Sequence, residues 1–235
     1  MMEYSADELR PWLRASIAWD NLVSELAYRG ELSAQSAEFT AAIVDASIRR
    51  EITLPQGSIV YRARSMPVDR AFDTEPLDLS EMGAPPAERA GHNRLSGTGE
   101  STFYGALEPD TAIAEVRPWV TARVSIAKFE GTKSLRLVDF TQDEDERLFD
   151  HADWSGWIMS RPVHQDDTDS YLGTQLIAAR LKAAGFDGVL YRSRLSEGGT
   201  NVALFDGAVL NPVSAELREV TRVEYNTTVL TPFPS

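Results

Sequence analysis

Residues 94–117 read Arg94-Leu-Ser-Gly-Thr-Gly-Glu-Ser-Thr-Phe-Tyr-Gly-Ala-Leu-Glu-Pro-Asp-Thr-Ala-Ile-Ala-Glu-Val-Arg117. Three kinds of local structure follow one another here. The first eight residues carry two glycines and predict a turn where backbone can approach a ligand closely. Thr102 to Ala106 predicts a short strand carrying Tyr104. Pro109 onward predicts a helix, with Asp110 or Thr111 as its N-cap and Glu115 within its first turns. A cation, an aromatic ring and a carboxylate are thus held near one loop–strand–helix junction. The set suits an anionic ligand with a ring and a reacting carbon.

The rest of the chain supplies walls for that junction. Ala6 to Arg29 has apolar residues near helical spacing, and Gly30 stops it. A second helix starts at Ser33 or Ser36 and carries Phe39, Ile43, Val44 and Ile48. These fifty residues predict a helical hairpin without visible chemistry, set apart from a catalytic domain over residues 51–235. Thr53 to Ser58 reads as a turn. Ile59-Val-Tyr-Arg-Ala-Arg64 alternates and predicts a strand, with Arg62 and Arg64 on one face. Residues 65–93 read as a long loop. Strands are expected over 120–129 and 134–140, and a helix over 144–158 with Trp154 and Trp157 in a core or interface. A helix over 171–185 carries Gln175 and ends at Gly185. Strands follow at Phe186–Ser193 and Val202–Phe205. The order is mixed and strand-rich, so the fold class is α+β rather than a βαβ series.

Composition narrows the chemistry. The 235 residues are 43% hydrophobic and 25% charged, which is ordinary for a globular protein. The formal charge of −13 argues against a nucleic-acid binder but not against a small anion gathered by a few arginines. There is no cysteine, hence no thiolate nucleophile and no Cys-based zinc site. His92, His151 and His164 match no metal spacing, so no metal is expected. The N-terminus has no signal-peptide pattern and no apolar run reaches 18 residues, so the expected compartment is the cytoplasm, away from membranes. Phosphate-loop, dinucleotide-fold and nucleophile-elbow motifs are absent. What remains is a set of arginines, tyrosines, one helix carboxylate and polar turns. Arginine forks suit a diphosphate, a tyrosine face suits a heteroaromatic ring, and a carboxylate beside a ribose supports an oxocarbenium-like centre. Together they suit cleavage of an N-glycosidic bond in a dinucleotide.

Joint spacing adds to this. Tyr61-Arg62-Ala-Arg64 comes first, then Arg94-x-Ser-x-x-Gly99. Tyr104 lies ten residues after Arg94, and Thr111-Ala-x-x-Glu115 places its carboxylate eleven residues later. Asp187-Gly-Val-x-Tyr-x-Ser193 and Gly-x-Asn201 close the series. This order resembles the RES domain, named for an arginine, a glutamate and a serine, across roughly residues 55–210. The chain departs from the family pattern at Asn93, Gly97 and Arg192. The resemblance implies an ADP-ribosyltransferase-like fold, here preceded by the helical hairpin. It implies an NAD⁺-degrading enzyme, a phosphorylase or glycohydrolase, acting as the toxin of a bacterial toxin–antitoxin pair. NAD⁺ would be a substrate rather than a permanent cofactor, and inorganic phosphate a co-substrate. An Xre-type antitoxin and a second copy of the chain are the protein partners it leaves room for. By the same resemblance Arg62, Glu115 and Ser193 are the catalytic candidates, and Arg64, Arg94, Tyr104 and Asn201 the substrate-binding ones. The alternatives are ADP-ribosylation of a protein in the same pocket, or an inactive binding module.

Overall fold

The structure is a computed structural model that describes residues 6–142, 151–160 and 169–228. Its first elements are two helices, α1 (Ala6–Tyr28) and α2 (Ala34–Ile48). Of the two capping candidates, Ser33 caps α2, its hydroxyl accepting from the Ser36 N–H at 3.2 Å. Strands β1 (Glu51–Leu54) and β2 (Ile59–Ser65) follow. The expected long loop contains a short helix, α3 (Leu79–Met82), closed by a capping box between Asp78 and Glu81. Then come β3 (Phe103–Ala106), α4 (Pro109–Glu115), β4 (Arg123–Gly131) and β5 (Leu135–Asp139). Helices α5 (His151–Ser160) and α6 (Leu172–Ala183) precede β6 (Gly188–Arg192), β7 (Thr200–Leu204) and β8 (Leu210–Glu219).

The fold is α+β, as the mixed order of elements suggests. The expected start of α5 at residue 144 falls outside the described residues. The N-cap of α4 is Glu108 rather than Asp110 or Thr111, because Pro109 takes the first helical position. Two strands are additional to the sequence reading. Both β1 and β8 lie at sheet edges, where solvent on one side removes the apolar alternation that marks a strand.

The eight strands form one sheet in the order β1-β5-β6-β7-β3-β2-β4-β8. Only β5 and β6 run parallel, and every other pair is antiparallel. Alternation sorts the side chains onto two faces. On one face, Val138, Val189 and Ala203 meet α1, α2, α5 and α6 through Trp19, Leu22, Ile43, Trp154 and Ile177. Farther along that face, Ala63, Ala106 and Ile126 meet Ala112 of α4. The opposite face is a second core of Val60, Phe103, Phe129, Leu137, Leu190, Val202 and Leu204, closed by Leu77 and Met82. Trp154 is buried against Trp19 and Phe39, with ring centroids 5.0 and 5.7 Å apart, whereas Trp157 is 41% exposed.

Two close approaches set the geometry. A Cβ at Gly188 would overlap the Ala203 carbonyl across the β6–β7 ladder. One at Gly173 would come within 2.6 Å of the Trp19 ring, so α6 lies directly on α1. The hairpin therefore shares its core with the sheet. Ile43→Ala, which empties a fully buried position in that core, should cost about 2–5 kcal/mol. Denaturant melts followed by far-UV circular dichroism and by tryptophan fluorescence should shift together. A shift confined to one probe would mean that the hairpin unfolds independently.

Candidate functional site

Helix α4 ends at Glu115, and the chain leaves it through Arg117 in a left-handed conformation with φ of 47°. Two strands reach this carboxylate. Glu115 Oε1 accepts from Ser193 Oγ at 2.8 Å and from Asn201 Nδ2 at 2.7 Å. Glu115 is exposed, and its second oxygen has no hydrogen-bond partner among the described residues. No cation lies within ion-pair distance of it there, so neither Arg117 nor Lys128 pairs with it. The carboxylate is held by one oxygen and presents the other.

The turn after β6 is built to bring these groups together. Ser193 Oγ donates to Glu115 and accepts from the Leu195 and Ser196 N–H groups, both at 3.1 Å. Its donor and both acceptor positions are then filled. Ser193 is thus bonded both to Glu115 and to its own turn. Gly199 sits against Thr111, whose hydroxyl bonds Ser196 Oγ at 3.2 Å, and Glu108 Oε2 accepts from the Thr200 N–H at 2.9 Å. These contacts lock the 193–200 turn onto the first turn of α4. Asn201 is buried on β7 with its Oδ1 unpaired. The reverse amide orientation would set that oxygen against the carboxylate, which fixes the assignment.

Tyr104 and Tyr191 stand on the same sheet face. Tyr191 is the cross-strand partner of Asn201, and both tyrosines pack along the edge of the helical core. Burial raises the Tyr104 phenol pKa, while the Leu95 N–H, which donates to its oxygen at 3.0 Å, and Arg94 act the other way. Burial pushes the Tyr191 phenol above the usual range, with Tyr104, Glu115 and Tyr171 adding to the shift and Arg94 opposing it. Tyr191 therefore stays a neutral phenol among four site groups. It was not among the expected site residues. Its spacing of two from Ser193 on one strand was visible in the sequence, but its pairing with Asn201 was not.

Arg94 lies at the other end of the seam. Its Nη1 donates to the Ile158 and Met159 carbonyls at the C-terminus of α5, at 3.0 and 2.6 Å. The guanidinium carbon is 5.9 Å from the Tyr171 ring centre. Nη2 and Nε have no protein partner among the described residues.

Arg62 and Arg64 do not join this group. Alternation along β2 puts Tyr61 and Ala63 on the α4 face and sends both arginines to the opposite one. Arg62 lies 5.2 Å from the Phe103 ring centre, with Nη1 buried and unpaired. Arg64 Nη2 donates to the Gly83 carbonyl at 3.1 Å, and its Nε is buried and unpaired. Burial, then the charge of Arg64, lowers the Arg62 pKa to about 10, with Tyr104 opposing. Of the seven expected site residues, Glu115, Ser193 and Asn201 are bonded together, Tyr104 and Arg94 flank them, and Arg62 and Arg64 lie across the sheet.

Comparison with known proteins bears on this arrangement. The RES domain profile matches residues 59–225, well over half of the chain. The chain belongs to the RES domain family. No curated protein matches the sequence. Among solved structures, a chain of the M. tuberculosis MbcT–MbcA toxin–antitoxin complex is similar at 14% identity, covering 76% of this chain and 92% of that one, with a TM-score of 0.45. Within the RES domain here, the described residues hold no cluster of three His, Asp or Glu side chains able to bind a metal, and no helix is long and apolar enough to cross a membrane.

The unpaired Arg62 charge can be tested by stability. Below pH 10 the folded protein carries the full cost of burying it. That cost falls as pH rises from about 10 toward the ordinary arginine value, because the unfolded chain then binds more protons. Arg62→Met should therefore be at least as stable as the parent at pH 7, by urea melts, and lose that advantage above pH 10. A loss of more than about 1 kcal/mol at pH 7 would show that the guanidinium has a stabilising partner.

Proposed function

We propose that this RES domain cleaves the nicotinamide–ribose bond of NAD⁺, by phosphorolysis or hydrolysis. The observation that carries the reading is the Glu115 carboxylate, with one oxygen tethered by Ser193 and Asn201 and the other without a partner among the described residues. Nicotinamide in NAD⁺ is a cationic leaving group. As the C1′–N bond breaks, its electron pair passes to the ring nitrogen and the ribose carbon becomes positive. A fixed carboxylate with one open oxygen stabilises that charge without reorganising. An oxygen of phosphate or water then bonds to C1′, and when water attacks, its proton leaves to solvent. No general acid is needed for this step.

The other residues take supporting roles. The tyrosine pair offers faces for a planar ring, and both stay neutral. The free half of the Arg94 fork suits a phosphate of NAD⁺ or inorganic phosphate. Ser193 and Asn201 act on the reaction through Glu115. Arg62 and Arg64 have no part in this step. A toxin role, with an Xre-type antitoxin as partner, belongs to the same proposal and follows from the family resemblance.

The test is NAD⁺ consumption by the purified protein, with and without inorganic phosphate, with products resolved by mass. ADP-ribose-1″-phosphate formed only with phosphate would identify a phosphorylase, and ADP-ribose a glycohydrolase. A labelled protein product would shift the reading to ADP-ribosyl transfer, and no loss of NAD⁺ at high enzyme concentration to a binding module. Glu115→Gln keeps an oxygen that can accept from Ser193 and Asn201 but removes the charge. It should retain the fold by circular dichroism and lose 100-fold or more in turnover, the order expected for a lost transition-state charge contact. Turnover near the parent value in a folded Glu115→Gln protein would remove Glu115 from the mechanism.

A further inference from the structure

Arg94 belongs to a segment with no regular secondary structure of its own, and that segment also holds the Tyr104 hydroxyl. Residues 92–96 are closed only by a bridge between Asn93 and Ser96. What holds the segment is α6. Gln175 Nε2 donates to the Asn93 carbonyl at 2.7 Å and the Ser96 carbonyl at 3.1 Å, and lies 2.8 Å from His92 Nδ1. The amide nitrogen has two N–H groups, which the two carbonyls take, and the His92 ring packs beside them. The neighbouring Thr174 Oγ1 donates to the Arg94 carbonyl. The carbonyls of Asn93, Arg94 and Ser96 are therefore each bonded to one of two consecutive α6 residues. Leu95 is buried in the helical core and gives its N–H to Tyr104.

The other side of α6 explains how the clamp is aimed. Gly173 is the residue before the pair, and it rests on the Trp19 ring of α1 with no room for a Cβ. The hairpin lies outside the family match, which begins at residue 59, yet it sets how deeply α6 can sit. Trp19 and Leu22 of α1 join Ile177 and Leu181 of α6 in one buried cluster.

We infer that Thr174 and Gln175 are positioning residues that fix the 92–96 segment, and with it the Arg94 fork and the Tyr104 hydroxyl, and that the N-terminal hairpin acts on the site by seating α6. The inference about turnover rests on the NAD⁺ reading, whereas the clamp itself does not.

Two experiments separate the parts. The first is hydrogen exchange on the full chain, comparing the parent with Gln175→Met, which keeps length and shape without the donors, and with Thr174→Val. Peptides covering 92–97 should exchange about tenfold faster in either variant, the scale of one lost hydrogen bond, while peptides of β6 and β7 stay unchanged. Unchanged exchange at 92–97 in both variants would overturn the clamp, as would uniform acceleration across the sheet, which marks general destabilisation. The second is steady-state NAD⁺ cleavage. Gln175→Met should raise KM about tenfold with kcat within about twofold, and should add nothing in an Arg94→Ala background. An equal loss in both backgrounds would show that Gln175 does not act through Arg94. If the parent itself does not turn over NAD⁺, the functional reading fails while hydrogen exchange still decides the clamp.

Discussion

One carboxylate oxygen receives two hydrogen bonds from two different strands, and the candidate site depends on that meeting. Glu115 closes α4, Ser193 follows β6 and Asn201 lies on β7, so the three converge only if helix, turn and sheet all hold their register. A one-residue slip of β7 would send Asn201 to the opposite face and leave Oε1 with a single donor. The structure guards against that slip with backbone. Glycine is required at Gly188 by the Ala203 carbonyl and at Gly199 by Thr111, and each close contact allows one alignment of its partners. Charge-assisted bonds of this kind are stronger than neutral ones, and the Asn201 amide that makes one of them is buried.

Around this centre the sheet divides labour by face. The helical face carries Tyr104, Tyr191, Asn201 and the approach to Glu115, with α4 on one side of the seam and α5 and α6 on the other. The opposite face is largely apolar, Ser125 being a buried hydroxyl on it that accepts from the Leu77 N–H, and the unpaired N–H groups of Arg62 and Arg64 make it the less settled of the two. Most of the rest is ordinary surface electrostatics. Arg136 with Glu51 and Lys133 with Asp187 are half-exposed pairs that contribute little each.

The layers are also coupled in series. Trp19 seats Gly173, the next two residues of α6 grip the segment before β3, and that segment delivers an arginine and an amide to the seam. A family domain preceded by a helical hairpin invites the idea of a detachable arm. Here the shared core makes the arm part of the wall.

Much was legible in the sequence because it depends on local spacing. The 3.6-residue rhythm of α1, α2 and α6, the alternation of β2, β6 and β7, and the order of Arg94, Tyr104, Glu115, Ser193 and Asn201 are all properties of neighbours along the chain. They are enough to mark an α+β fold of the RES family. Tertiary structure decided what spacing cannot carry. It chose the sheet face that receives Arg62 and Arg64, since alternation places them together but not relative to a helix fifty residues later. It bonded Ser193 to two N–H groups and a carboxylate at once. It drew Tyr191 and Gln175 into the site through pairing with Asn201 and contact with residues 92–96. The physical reason is the same in each case. Backbone periodicity fixes direction within an element, whereas hydrogen-bond saturation and burial are set by whichever distant element the fold packs against it.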